Sequence, residues 1–153
     1  MSWIEPIYDR TQYDIEYAKS RIKYFKQNGG ITDGVELKGC LNCTDLNRIE
    51  NNIEYLSELL NELYYCNTID KRDAQWSMDD IPTKTNIERI LNNLNELLIK
   101  YYTLDEALVI PETLTHFEAV NIVEKCIYLI KVMIDDMVTS FRECGTFNCG
   151  EEW

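Results

Sequence analysis

The stretch Thr44-Asp-Leu-Asn-Arg-Ile-Glu-Asn-Asn-Ile-Glu-Tyr-Leu-Ser-Glu-Leu-Leu-Asn-Glu-Leu63 constrains the fold more than any other part of the chain. Its apolar residues Leu46, Ile49, Ile53, Leu56, Leu60 and Leu63 follow one another at steps of three, four, three, four and three. On a helix those steps put all six on one seam, with polar residues elsewhere. A seam this narrow suits helices packed nearly parallel or antiparallel at a shallow angle. The stretch has no active-site chemistry. It is a helix that needs partners.

Further helices are legible on either side. Thr11-Gln-Tyr-Asp14 has the form of a capping box, and Ile15, Ala18, Ile22 and Phe25 continue at helical spacing. A helix is expected over about 12–27, stopped by Asn28-Gly29-Gly30, because glycine tolerates the left-handed cap. The organising helix is expected over about 44–66, with Thr44 or Asp45 as its cap and Cys66 within it. Thr85-Asn-Ile-Glu88 reads as a second capping box, opening a helix over about 84–102 with Ile87, Ile90, Leu94, Leu97 and Tyr101 on its seam. Thr115-His-Phe-Glu118 opens a fourth, over about 116–143, ended by Gly145. Val120, Val123, Ile127, Ile130, Ile134, Met137 and Phe141 form its seam, and Ile122, Leu129, Val132, Met133 and Val138 add apolar surface on other sides. That helix is expected to be the most buried, flanked by more than one neighbour. The fold class expected is all-α, a bundle of three long helices and a shorter N-terminal one.

Between and beyond the helices lie an extended arm over 1–10, a loop over 31–43 in which Val35 and Leu37 could be extended, a long polar connection over 67–82, and a tail over 145–153. A single domain over 11–144 is therefore expected, with arm and tail attached. Connections as long as 67–82 are either functional or loosely ordered. Trp76 within it reads as an anchor of the loop to the core. A faint internal echo places Asn and Glu on the first turns of three helices, as Asn47 and Glu50, Asn86 and Glu88, and Asn121 and Glu124.

Charge and motifs exclude several functions. The formal net charge of -12 is the opposite of the basic stripe that a nucleic-acid binder carries, and it disfavours an anionic membrane surface. No apolar run approaches the roughly 20 residues that span a bilayer, and the first ten residues lack the basic start and apolar core of an export signal. Synthesis in a cytosol is expected, so the six cysteines are not expected to form a disulfide framework. No glycine-rich phosphate loop is present. His116 is the only histidine, and no cysteine or serine stands at an informative spacing from it. Cys40-Leu-Asn-Cys43 has the gap of a zinc knuckle, and Cys144 with Cys149 forms a wider pair. Four thiolates could hold a metal there; small packed thiols are the alternative. The carboxylates, including Asp135-Asp136, read as a solvated face. No catalysis, cofactor or metal is expected.

Three blocks together resemble a known family. They are Trp3 to Asp14 with Tyr-Asp-Arg-Thr-Gln-Tyr-Asp, Lys38 to Leu56 with Asp-Leu-Asn-Arg-Ile-Glu-Asn-Asn, and Ile81-Pro-Thr together with Leu114-Thr-His-Phe-Glu-Ala-Val-Asn-Ile-Val-Glu124. The chain resembles small tail-associated structural proteins of phages and prophages of gut Firmicutes. The resemblance covers most of the chain, and its most specific part is the Asp-Leu-Asn-Arg-Ile-Glu-Asn-Asn block. It implies a virion component of the tail tip, baseplate or fibre attachment, made in the bacterial cytoplasm, without catalysis. It implies as partners other tail proteins and further copies of the chain. The family's pattern does not require cysteine at 40 and 43, and no fibre or lectin domain follows Trp153 here, so an adaptor role is implied. On this reading the arm, the connection and the tail grip neighbouring subunits through Trp3, Ile4, Tyr8, Trp76, Phe147 and Trp153. Two alternatives stay open: a part of a phage-tail-like injection device, or an acidic helical module that sequesters a partner.

Overall fold

The structure, a computed structural model, describes residues 2–29, 37–101 and 109–144, without the side chains of 99–101 and 141–144. Four helices and no strand occupy the described residues: α1 (Gln12–Asn28), α2 (Cys43–Glu62), α3 (Lys84–Tyr101) and α4 (Phe117–Cys144). The all-α expectation holds. The expected extended piece at Val35 lies outside the described residues, whereas Leu37 begins a tight turn closed by the Cys40 amide donating to its carbonyl at 2.8 Å.

Local chemistry sets the helix boundaries. Thr11 caps α1: the Asp14 side chain accepts from the Thr11 amide at 2.8 Å, and the Thr11 hydroxyl accepts from the Asp14 amide at 3.4 Å. Gly29 ends α1 in the left-handed region, at φ 62°. Three boundaries differ from expectation. The cap of α2 is Asn42, not Thr44 or Asp45; Asp45 instead reaches back to the Asn42 amide at 3.0 Å. The cap of α3 is Thr83, not Thr85, because the Thr83 hydroxyl meets the Asn86 amide at 3.3 Å right after Pro82. And α2 stops at Glu62 rather than near 66. Tyr64 turns into the left-handed region at φ 67°, and the Tyr65 amide closes back on Leu60 at 2.9 Å. Cys66 is therefore in the connection and exposed, not packed within a helix.

The long helices run parallel. Arg48 of α2 meets Glu124 of α4, and farther along both helices the Tyr65 hydroxyl, just past the end of α2, reaches Met137. Glu50 of α2 pairs with Arg89 of α3, again early residue with early residue. Helices joined in sequence can lie parallel only if the chain travels back between them. Residues 67–82 do so: Asn67 bonds Asn61, Lys71 pairs with Glu54, Trp76 reaches Asn47, and Cys43 meets Met78. The arm runs the same way beside α2 and α4, with Trp3 against Tyr55, Ile4 at Asn52, Ile7 at Glu124 and Arg10 at Asn121.

The seams meet as expected. Ile49, Leu56 and Leu60 of α2, Ile90, Leu94 and Leu97 of α3, and Val123, Ile127 and Ile130 of α4 are fully buried in one cluster. Each such side chain contributes about 1.5–3 kcal/mol by burial. The backbone of α2 lies close to two helices, α3 and α4, while α4 is flanked by α2 and by the arm. The outer apolar residues Ile122, Leu129 and Val132 of α4 remain only half-buried. The start of α1 is fixed by close approach: a Cβ on Gly39 would lie 2.1 Å from the Asp14 carbonyl oxygen.

The α1 cap has a pH dependence. Hydrogen bonds from the Thr11 hydroxyl and amide hold the Asp14 carboxyl below its usual range. The cap is at full strength above the ordinary aspartate value of about 3.9, and is lost as pH falls through the lower folded value. Thr11→Ala should move the Asp14 midpoint upward toward the ordinary value in an NMR titration. An unchanged midpoint would exclude the cap as its cause.

Candidate functional site

The polar groups that matter most lie between the helices. Glu124 of α4 has no exposed surface, and Arg10 of the arm and Asp45 of α2 are 5% and 4% exposed. Arg48 Nη2 donates to Asp45 Oδ1 at 2.6 Å and to Glu124 Oε1 at 2.5 Å, while its Nε donates to Glu124 Oε2 at 3.1 Å. Arg10 Nη2 donates to Asp45 Oδ1 at 2.8 Å and to Glu124 Oε1 at 3.4 Å. Two cations and two anions thus close a neutral square that ties arm, α2 and α4 together. Burial works against the Arg48 charge, yet its bonds to Glu124 and Asp45 hold its pKa above the usual value. Reading all carboxylates as a solvated face is wrong for Asp45 and Glu124.

Around this square, asparagines hold extended backbone. An asparagine amide carries one acceptor and two donors, and can pair with both polar groups of a single peptide residue. Asn52 accepts from the Ile4 amide at 3.0 Å and donates to the Ile4 carbonyl at 2.7 Å. Asn121 does the same with Arg10, at 3.2 and 2.9 Å. In the second groove Asn93 pairs with Asp70 at 2.8 and 2.7 Å, and Asn47 with Trp76 at 2.7 and 2.9 Å.

The two grooves are built alike. Between α4 and α2, Asn121 holds the Arg10 backbone and Glu124 takes its guanidinium; Glu124 also binds Arg48, and Asn52 holds Ile4. Between α2 and α3, Asn47 holds the Trp76 backbone and Glu50 takes its indole N–H at 3.1 Å; Glu50 also binds Arg89, and Asn93 holds Asp70. Ile4 stands six residues before Arg10, as Asp70 does before Trp76. Each groove therefore takes Asn-x-x-Glu from one helix and Arg-x-x-x-Asn from the next. On α2 the two half-motifs overlap in Asn47-Arg-Ile-Glu-Asn-Asn52. The echo in the sequence was thus half correct. Asn47 with Glu50 and Asn121 with Glu124 are equivalent, whereas Asn86 and Glu88 take no such part. The second half-motif, Arg48-Ile-x-Asn-Asn52 repeated as Arg89-Ile-x-Asn-Asn93, went unread although it stands in the sequence.

Comparison with family models, with curated proteins and with solved structures finds no match to this chain.

The expected contact residues separate into three groups. Trp3 is half-buried against Tyr55, with Lys131 over its ring, while Ile4 and Tyr8 keep 43% and 38% of their surface exposed. Trp76 is 4% exposed, under the Arg72 guanidinium at 3.8 Å, so its ring anchors the return segment to the core and is not open to a partner. Phe147 and Trp153, with Cys149, the Cys144 side chain and the rest of the tail, lie outside the described residues. The arm, expected to grip neighbours, spends its backbone and Arg10 on its own bundle.

His116 is exposed just before α4, and its carbonyl accepts from the Ala119 amide at 3.1 Å and the Val120 amide at 3.3 Å. It lines a cleft of about 380 Å3 with Arg10, Lys19, Cys40 and Glu118. Burial, and then the Asp45 charge, push the Cys40 thiol up, the reverse of what an activated nucleophile needs. Cys43 touches Met78 at 3.4 Å between sulfurs. Among the described residues no three His, Cys, Asp or Glu side chains are grouped to hold a metal ion, and no helix is long and apolar enough to cross a membrane.

Two substitutions test the grooves. Glu124→Gln leaves two buried guanidinium groups facing one carboxylate and should cost about 3–5 kcal/mol in urea unfolding. Asn52→Ala removes both partners of the Ile4 peptide groups and should cost about 1–3 kcal/mol. The Ile4 amide should then exchange with solvent much faster while α3 amides stay protected; equal loss in both places would mean that the clamp is not local.

Proposed function

We propose that the chain is a structural adaptor of a phage tail, at the tail tip, baseplate or fibre attachment, and that it acts without catalysis in an assembly of several copies. The observation that carries this reading is a coincidence of position. The most specific block of the family resemblance, Asp45-Leu-Asn-Arg-Ile-Glu-Asn-Asn52, is the same stretch whose side chains build both grooves. The Arg10 of the first resembling block and the Asn121 and Glu124 of the third complete the groove between α4 and α2. A part selected to hold extended chain between rigid helices suits an adaptor, whose work is to fix the geometry of its neighbours. The buried carboxylates Asp45 and Glu124 are each bound to two arginines, which supports a structural part for them. Contacts with other tail proteins would fall on Ile4 and Tyr8, the large apolar arm side chains that stay exposed.

Removing the whole arm would also strip Arg10 from the buried square, so arm deletion cannot separate assembly from stability. Mass spectrometry of purified tail particles from the encoding strain should find the chain as a stoichiometric component. Its presence in the lysate but not in particles would instead favour the acidic sequestering module that the net charge of -12 suggests. In particles carrying Ile4→Ser and Tyr8→Ser, incorporation should fall while the purified variant keeps its unfolding midpoint.

A further inference from the structure

The groove between α4 and α2 is a built site for extended chain, and what it holds lies within residues 2–10. Asn52 pairs with both polar groups of the Ile4 peptide, and Asn121 with both of Arg10. Glu124 Oε2 accepts from the Ile7 amide at 2.9 Å, and Asn51 donates to the Ser2 carbonyl at 2.9 Å. Only two side chains of this stretch are buried, Pro6 and Arg10. The proline ring fixes its own backbone angle, so the segment reaches the groove partly pre-shaped. Arg10 then enters the charge square. The ligand recognised is an extended peptide with proline and, four residues later, arginine.

Little else fastens the arm to its own bundle. The helix α1, which follows it, buries only Ala18, and its backbone does not lie close along any other helix. The groove's hydrogen bonds and ion pairs run from the arm to α2 and α4, and α1 contributes to none of them. An arm presented by a neighbouring copy would therefore make the same bonds as the chain's own. The return segment differs, because its groove lies between the two helices that it joins in sequence, α2 and α3.

We infer that copies of this chain exchange arms through this groove, the arm of a second copy seating between α4 and α2 with its Arg10 in the charge square. Swapping an identical element adds no new interface and is a low-cost route to a pair. A tethered segment meets its own site at an effective concentration on the order of millimolar. Copies held side by side in an assembly offer their arms at a comparable concentration, whereas a dilute chain keeps its own. Arm exchange rests on the proposed assembly of several copies and gives it a grip. The purified chain tests the exchange and mass spectrometry of particles tests the assembly, so the two can fail separately.

Isotope-labelled and unlabelled wild-type chain, unfolded together and refolded together at about millimolar concentration, should give isotope-filtered NOEs between the Trp3 ring of one copy and the Tyr55 ring of the other. The centroids of those rings lie 5.8 Å apart. Trp3–Tyr55 NOEs within the labelled chain but none across chains would overturn the inference. In a second measurement, the full chain with Arg10→Ala should unfold at lower urea and regain the wild-type midpoint when the peptide Ser2–Thr11 is added to saturation. The same peptide with Ile4→Pro lacks the amide that donates to Asn52 and should give no shift. No shift with the unmodified peptide, or an equal shift with both, would also overturn the inference. The NOE measurement uses wild-type chain, so it decides even where Arg10→Ala folds poorly.

Discussion

Extended backbone between packed helices brings peptide N–H and C=O groups away from water, and each must find a partner there. A bundle whose consecutive long helices are parallel cannot avoid the problem, because every connection must travel the length of the helix it follows. Here Asn47 and Asn93 answer it for the return segment, and Asn52 and Asn121 answer it for the arm. Each pair of bonds contributes only about 1–3 kcal/mol net, at about 0.5–1.5 for each bond. Leaving the same groups buried and unpaired would cost as much again, so the asparagines decide whether the segments lie in the grooves at all.

The buried square of Arg10, Asp45, Arg48 and Glu124 adds a different constraint. An apolar seam tolerates sliding, since leucine and isoleucine pack at several offsets. A charge square does not: shifting α4 by one turn against α2 would leave ionised groups buried without partners. Its net stability is small once desolvation is counted, because apolar groups of the same volume can do as well. What it supplies here is register, setting which turn of α4 faces which turn of α2 and where the arm ends. The Glu50–Arg89 pair with the Trp76 indole plays the same part between α2 and α3, nearer the surface.

The apolar periodicities were enough to place four helices and their seams, since a spacing of three and four has a single geometric solution. Thr11 and Gly29 were legible as boundaries because a capping hydroxyl and a glycine's left-handed backbone both act locally. Boundaries that depended on competition between nearby caps, Asn42 against Thr44 and Thr83 against Thr85, were not, and neither was the left-handed turn at Tyr64. Helix direction was invisible for a physical reason: the same seam serves parallel and antiparallel neighbours, and only the length of residues 67–82 hinted at a return. Glu124 and Asp45 could not be told from surface acids by type. The signal that could have singled them out was position, since Glu124 lies between Val123 and Cys126 next to the seam, where a solvated face does not reach.

Because both half-motifs overlap in the six residues from Asn47 to Asn52, α2 is a party wall, with one set of fixtures serving the rooms on either side. Inserting a single residue there would rotate one half against the other by about 100° and dismantle both grooves together. The leucines around it can drift among aliphatic types, provided volume is kept. In a distant descendant of this chain, the polar hexapeptide should therefore outlast the apolar core, and lineage would be written in asparagine rather than in leucine.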